Sequence, residues 1–261
     1  MANAPHPYFA GTAHPRILAH RGLVTDEMRR DGIAENTIAA FAAADAAGAD
    51  YIESDCRITA DGVVVLCHDD DLARVAGDPR AVAEVSLTQL EGVMASRGGL
   101  ATLEQALDAF PDARFNIDVK VDEAAEEAGR IVGPEAHRVL LTSFSDRRRR
   151  AVLRSARNAG GAPATSPGRA TISRLVALTR GPAPAALIRR ALRGIDAVQI
   201  PERHGRIRVL TPRLVDAVHG TDTEVHVWTV NDPADMRRLM DLGVDGIVTD
   251  RADVALDVRG G

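Results

Sequence analysis

The chain has 261 residues, 45% of them hydrophobic and 26% charged, with a formal net charge of −5. Such a length suits one large α/β barrel or two small domains, and the acidic balance argues against nucleic acid as a partner. No run of about 18 apolar residues is present to span a membrane, and two cysteines, Cys56 and Cys67, make no disulfide framework.

The first fifteen residues, MANAPHPYFAGTAHP, carry neither the charged nor the apolar region of a signal peptide. They read as an N-terminal arm (1–15) before a single domain (16–261), and the expected location is cytoplasmic. Strand candidates then follow in order: 17–20 (ILAH), 51–58 (YIESDCRI), 63–67 (VVVLC), 114–119 (RFNIDV), 139–144 (VLLTSF), 162–165 (APAT), 196–200 (DAVQI), 224–230 (EVHVWTV) and 246–249 (GIVT). Helices with readable ends lie between them. ENTIAAFAAADAAG puts Ile38, Phe41 and Ala42 on one face and stops at Gly48. TLEQALDAF opens with a capping box, Thr102 with Gln105. TPRLVDAVHG and DPADMRRLMDLG each place a cap before proline and end on glycine.

Strand–helix alternation over the whole length predicts a parallel sheet with crossover helices. Nine strands are one too many for an eight-stranded barrel. The surplus is 63–67, separated from 51–58 only by TADG, a hairpin turn and not a crossover. The predicted fold is therefore α/β, a single (β/α)8 TIM barrel with a hairpin inserted after the second strand.

Such barrels build their sites at the C-terminal ends of the strands. Those ends hold His20 and Arg21, Glu53 and Asp55, Asp118 and Lys120, Gln199, and Trp228 with Asn231, while the hairpin adds His68 and Asp69. Residues two apart on a strand share a face, so Glu53 pairs with Asp55 and Asp118 with Lys120. Three converging carboxylates need a cation, and an all-oxygen set suits one Mg²⁺ or Ca²⁺ and not zinc. Arg21 and Lys120 add positive charge fit for a phosphate, and His20 and His68 can exchange protons near neutral pH. Lys120 is the only lysine beside 31 arginines, which draws attention to a site where a compact ammonium is needed. Singly, such acids are more often solvated loop charges, a strand-end histidine is more often structural, and the RRRR at 147–150 reads as the wet face of a helix. Joint placement at the strand ends carries the functional reading.

AHRG, ENTIAAF, ADYIESDCRITADGVVVLCHDDDLARV, NIDVK, TSFS, VHVWTVND and GVDGIVTD resemble, in order, the motifs of the glycerophosphodiester phosphodiesterase family, from about residue 16 to 250. The resemblance implies a metal-dependent enzyme that cleaves small-molecule glycerophosphodiesters to glycerol 3-phosphate and an alcohol. It makes His20 and His68 the acid–base pair and Glu53, Asp55 and Asp118 the metal ligands, and it puts Arg21 and Lys120 on the phosphate. Glu35 and Asn36 are then expected to orient His20 or Arg21, with a plain helix cap as the other role for Asn36. Trp228 and Gln199 are expected to line the substrate pocket, a core position being the alternative for Trp228. Two departures stand out: Asp118 where the family usually has glutamate, and Arg251-Ala252 after Asp250.

A lysophospholipase D or sphingomyelinase-D-like activity on lipid-bearing diesters is the rival within enzymes. It requires an apolar channel or a membrane-facing surface, and no basic amphipathic helix is evident. A catalytically silent phosphate-binding barrel is the other rival; it predicts a lost histidine or acid, and none is missing. A two-residue Asp61-Gly62 turn would set Cys56 opposite Cys67 and Asp55 opposite His68, with the cysteines close but reduced; a three-residue turn would offset that register by one. The oligomeric state has no signature in the sequence.

Overall fold

Period-two apolar runs become the strands β1 (Arg16–His20), β2 (Tyr51–Ile58), β3 (Val64–Leu66), β4 (Arg114–Val119), β5 (Val139–Thr142), β6 (Ala164–Thr165), β7 (Ala197–Pro201), β8 (Glu224–Trp228) and β9 (Gly246–Thr249). The structure is a computed structural model that describes residues 6–181 and 184–260. Residues 1–5 of the expected arm and Gly261 lie outside the described residues. All but β3 run parallel, in the order β6-β5-β4-β2-β1-β9-β8-β7. The two ends of that path meet where the Asp196 N–H donates to the Thr165 carbonyl at 3.0 Å and the Gln199 N–H to the Ser166 hydroxyl at 3.2 Å. Eight parallel strands with helices between them thus make the TIM barrel, and β3 returns antiparallel on β2.

Each strand sends alternate residues to opposite faces. Ile17, Ile52, Phe115, Leu141, Val225 and Ile247 pack in the main core with the surrounding helices, whereas Leu18, Tyr51, Leu140, Ala164, Ala197 and Val248 cluster with Tyr8 and Phe9. Tyr8 and Phe9 belong to a short turn of helix, Pro7–Phe9, that plugs the N-terminal end of the barrel. There Tyr51 donates its hydroxyl proton to the Tyr8 carbonyl at 3.0 Å, and Arg16 makes a two-pronged pair with Glu224 at 2.8 and 2.7 Å. The opposite, C-terminal end is left for polar groups.

The helix ends follow the capping chemistry. Thr102 and Gln105 form the reciprocal box of Leu103–Ala109, and Thr211 and Asp232 cap Pro212–His219 and Pro233–Asp241. The helix Ile38–Ala46 is capped by Thr37, and it buries Ala40, Phe41 and Ala44 while Ala42 faces water. Its alanine-rich sequence defines no single apolar stripe, so the expected Ala42 face is displaced.

The inserted segment is larger than a hairpin. Beyond β3 it adds a two-stranded ribbon (Asp71–Leu72 with Asp78–Ala81) and the helix Leu87–Met94, with a small core of Val65, Leu72, Val82, Val85, Leu90 and Met94. Among the described residues, no helix is long and apolar enough to cross a membrane.

Candidate active site

The inward alternation that fills the barrel with Leu18, Tyr51 and Val248 continues upward into charge. One residue pair further along, the same faces carry His20, Glu53 with Asp55, Asp118 with Lys120, Gln199 and Trp228. All of these, with Arg21 and His68, line one cavity of about 490 Å³. Glu35 and Asn36 do not line it. Glu35 borders a second, neighbouring cavity that shares His20.

Arg21 and Gly22 explain the abrupt end of β1. Arg21 takes φ +58° and Gly22 φ +85°, a left-handed pair that reverses the chain; holding a non-glycine residue there costs roughly 1–3 kcal/mol and is most often found at functional sites. A Cβ on residue 22 would stand 2.7 Å from the Ala40 backbone, so the position admits only glycine. The turn leaves the guanidinium of Arg21 in an ion pair with Asp55 at 3.1 Å and hydrogen-bonded to Glu35 at 2.6 Å. Asn36, at φ +57°, caps nothing. Its amide donates to Asp55 at 3.4 Å and its carbonyl accepts from Ser54 at 2.7 Å. Glu35 therefore holds Arg21, and Asn36 holds Asp55.

Each histidine is anchored by an aspartate. His20 Nδ1 meets Asp250 at 2.6 Å, and His68 Nδ1 meets Asp69 at 2.7 Å. A carboxylate only accepts, so Nδ1 carries the proton and Nε2 is free for chemistry. Burial alone would lower the pKa of His20, but the hydrogen bond to Asp250 and the charge of Glu53 raise it above the ordinary value. Asp250 is itself held by Asn231, whose amide donates to it at 2.7 Å. Asp69 accepts from Arg74 at 2.6 Å, and Arg74 reaches on to Glu35 at 2.7 Å. Charged contacts thus run without a break from Arg21 through Glu35, Arg74 and Asp69 to His68.

Glu53, Asp55 and Asp118 are 8%, 2% and 5% exposed. The Lys120 ammonium bridges Asp55 and Asp118, 2.7 Å from each. Asp55 is consequently held below the usual carboxylate range by Lys120 and Arg21 against the opposing effect of burial. Glu53, buried and repelled by Asp55, is pushed up to about 7. Asp118 is likewise raised by burial, and its Oδ1 is a buried acceptor with no partner. Among the described residues, no three histidine, cysteine, aspartate or glutamate side chains stand at metal-ligating spacing; the expected convergence is opened by Lys120. The donor chemistry nonetheless fits a hard divalent cation: burial keeps Glu53 and Asp118 raised despite the neighbouring cations, and Asp118 Oδ1 is left without a partner.

The hairpin register is the offset one. Thr59 donates its hydroxyl proton to Asp61 at 2.6 Å and accepts the Val63 N–H at 3.0 Å, which closes a three-residue turn with Gly62 at φ +84°. Cys56 lies opposite Leu66, and the Cys67 N–H donates to the Asp55 carbonyl at 2.8 Å. The expected Cys56–Cys67 and Asp55–His68 pairings are therefore wrong by one residue. His68 lies beyond the end of β3 and still lines the cavity. Both thiols are free and are raised by burial. The arginine run is only half wet: Arg147 and Arg150 are exposed, whereas Arg148 bonds Asp122 at 2.8 Å and Arg149 pairs with Asp146 at 3.6 Å.

Sequence reasoning missed Asp250, Arg74 and Phe144 as site residues. Asp250 had a signal, since it continues the inward series 246, 248, 250 of β9. Arg74 and Phe144 lie inside two of the stretches that carry the resemblance, HDDDLARV and TSFS, but neither stands at the end of a strand's inward series.

Two histidines, each with Nδ1 held by an aspartate, stand beside two cations and buried carboxylates, a set of groups that suits a phosphoric diester hydrolase. The model of the glycerophosphoryl diester phosphodiesterase family matches residues 20–254, and the chain belongs to that family. The protein named probable glycerophosphodiester phosphodiesterase 2 in Mycobacterium tuberculosis is 40% identical over 245 residues, which cover 92% of this chain and 89% of that protein. The glycerophosphodiester phosphodiesterase of Thermotoga maritima superposes with a TM-score of 0.72 at 22% identity, covering 95% and 99% of the two chains. An Oleispira antarctica phosphodiesterase, solved with the product sn-glycerol-3-phosphate, superposes with a TM-score of 0.71 at 19% identity, covering 95% and 98%.

Proposed function

We propose that this enzyme hydrolyses glycerophosphodiesters to sn-glycerol 3-phosphate and an alcohol, using one divalent cation, Mg²⁺ or Ca²⁺, and His20 and His68 as the acid–base pair. Residues 16–261 serve as one catalytic domain, with 1–15 as an arm. The observation that carries the reading is that two histidines, each with Nδ1 held by an aspartate, line one cavity with Arg21 and Lys120. The product named with the Oleispira antarctica phosphodiesterase supports the same product class here.

Glu53, Asp55 and Asp118 would hold the cation, which when bound neutralises phosphate charge and acidifies the attacking hydroxyl. The Nε2 of His20 removes the proton of the glycerol hydroxyl next to the phosphate ester. That oxygen attacks phosphorus to give a cyclic phosphate as the bond to the alcohol breaks. His68 protonates the departing oxygen through its own Nε2. The two then exchange roles while water opens the ring, so one water is consumed per diester. Arg21 and Lys120 hold the phosphoryl oxygens as charge shifts among them. Gln199 and Trp228 line the substrate's side of the cavity, and Glu35 and Asn36 keep Arg21 and Asp55 in place.

The test is product analysis on glycerophosphocholine, glycerophosphoethanolamine and glycerophosphoinositol with Mg²⁺, Ca²⁺ or Mn²⁺, and with excess chelator. The reading expects sn-glycerol 3-phosphate and loss of turnover on chelation. Full turnover in verified absence of metal overturns the metal role, and phosphocholine as the product overturns the bond assignment.

A further inference from the structure

Charge is unevenly spread over this acidic protein. Residues 169–213 hold ten of the 32 basic residues and only two of the 37 acidic ones, Asp196 and Glu202. All ten are arginines, and all ten are exposed. None of them is ion-paired among the described residues, whereas Arg16, Arg21, Arg74, Arg138, Arg148 and Arg238 all are. The two acids are engaged elsewhere: Asp196 accepts the Thr165 N–H at 2.9 Å, and Glu202 pairs with Arg238 at 2.7 Å. Positive charge gathered without counter-charge repels itself, so folding gains nothing from it.

Six of these arginines gather beside the catalytic cavity. Arg169 and Arg180 line it, and the Arg213 guanidinium donates to the Arg180 carbonyl at 3.4 Å. Arg203, Arg206 and Arg208 belong to a two-stranded ribbon, Arg203–His204 with Ile207–Arg208, which pairs with no other strand among the described residues. The base of the ribbon is anchored: the Val209 N–H donates to the Glu202 carbonyl at 2.9 Å, and Val209 and Leu210 are buried. Beyond the base every residue from 203 to 208 is exposed, so the ribbon stands clear of the barrel. A ribbon this short gains little stability by itself. Large apolar side chains accompany the charge. Phe144, Leu187 and Ile207 are the three that are exposed among the described residues. Two of them lie within the basic segment, and the Arg169 guanidinium stands 4.5 Å from the ring of the third, Phe144.

We propose that the ribbon and the arginine rim beside it are a docking surface for an anionic lipid bilayer. Guanidinium groups with isolated apolar side chains among them suit the headgroup boundary, where anionic phosphates meet acyl chains. A nucleic acid would use the charge but leave Leu187 and Ile207 in water, and the acidic remainder of the chain repels a long polyanion. A bilayer is met by one face only, so that remainder points away from it. The apolar and basic groups sit on a protruding ribbon and a cavity rim, and no amphipathic helix is needed to present them. Docking is a property of this surface and holds for any diester that the cavity takes.

The experiment is flotation of the purified enzyme with vesicles of phosphatidylcholine alone and of phosphatidylcholine with an equal part of phosphatidylglycerol. The expected result is binding at least about tenfold tighter to the anionic vesicles, lost in about 1 M salt, where the Debye length is only about 3 Å. The double variant Arg206→Glu with Arg208→Glu should lose about tenfold or more of that affinity, while keeping native circular dichroism and wild-type turnover of glycerophosphocholine without vesicles. Arg130→Glu with Arg157→Glu makes the same change of charge in the last turns of two other helices and should bind as wild type does. Ile207→Ser should weaken binding by about threefold or more. Equal affinity for the two kinds of vesicle overturns the docking surface. So does an equal loss in both double variants, which reduces the effect to net charge. Binding of a single-stranded oligonucleotide with none to vesicles also overturns it and assigns the rim to nucleic acid.

Discussion

His20 Nδ1 and Asp250 Oδ1 are 2.6 Å apart, although 230 residues separate them in the chain. The contact joins the end of β1 to the end of β9, neighbours in the barrel, and it sets both the tautomer and the basicity of His20. Asp250→Asn should lower kcat by about 10²-fold or more, because a misoriented imidazole forfeits most of general base catalysis. The sign of the accompanying pH effect is fixed. As the proposed base, His20 must be neutral to accept a proton, and Asp250 holds its pKa up, so the acid limb of the kcat profile should move to lower pH in Asp250→Asn. An unchanged limb would remove Asp250 from this role.

Arg74 is the second remote support. It bridges Asp69 and Glu35, and through them touches both His68 and Arg21. Arg74→Ala should reduce kcat by about tenfold or more with little change in Tm, since the side chain is half exposed. Arg74→Lys should rescue only part of the loss, because an ammonium lacks the planar fork that spans two carboxylates. Equal kcat in wild type and Arg74→Ala would show that the bridge has no positioning role.

Lys120 stands between two buried carboxylates, 2.7 Å from each. The flat guanidinium of Lys120→Arg cannot take the same point position in so crowded a place, and kcat/KM should fall by about tenfold or more. Wild-type kinetics in Lys120→Arg would mean that the sole lysine of the chain is an accident of composition.

Glu224, at the other end of the barrel, is one of the carboxyls expected to contribute to acid stability. Burial would raise its pKa, but hydrogen bonds from His226 and Arg16 hold it at about 2, below its ordinary 4.5. A depressed carboxyl contributes stability that is fully present above about pH 4.5 and is lost as the pH falls toward 2. The shift corresponds to roughly 3 kcal/mol. Chemical denaturation of Glu224→Gln should show a loss of that order at pH 6 and a flatter dependence between those two pH values; a variant as stable as wild type at pH 6 would contradict it.

The barrel was legible because its strands are period-two runs with readable helix caps between them, and the strand ends were legible because charge replaces the inward series of apolar residues there. What escaped was set by contacts across the sequence or by local turn chemistry. The partner of His20 comes from the other end of the chain. Arg74 is an arginine among many until the insertion folds against Glu35. The hairpin register turns on one hydroxyl, Thr59, which binds Asp61 and adds a residue to the turn. Phe144 ends an apolar strand candidate and reads as core until its exposure in the cavity is seen.

The most direct test of the central claim separates the two histidines by their roles. If His68 protonates the departing alcohol, a substrate whose leaving group needs no proton makes it dispensable. With glycerophospho-p-nitrophenol, His68→Ala should recover to within about tenfold of wild-type kcat, while His20→Ala stays at least about 10²-fold down. The reverse pattern would exchange the assigned roles, and wild-type turnover of glycerophosphocholine by either variant would contradict the acid–base pair itself.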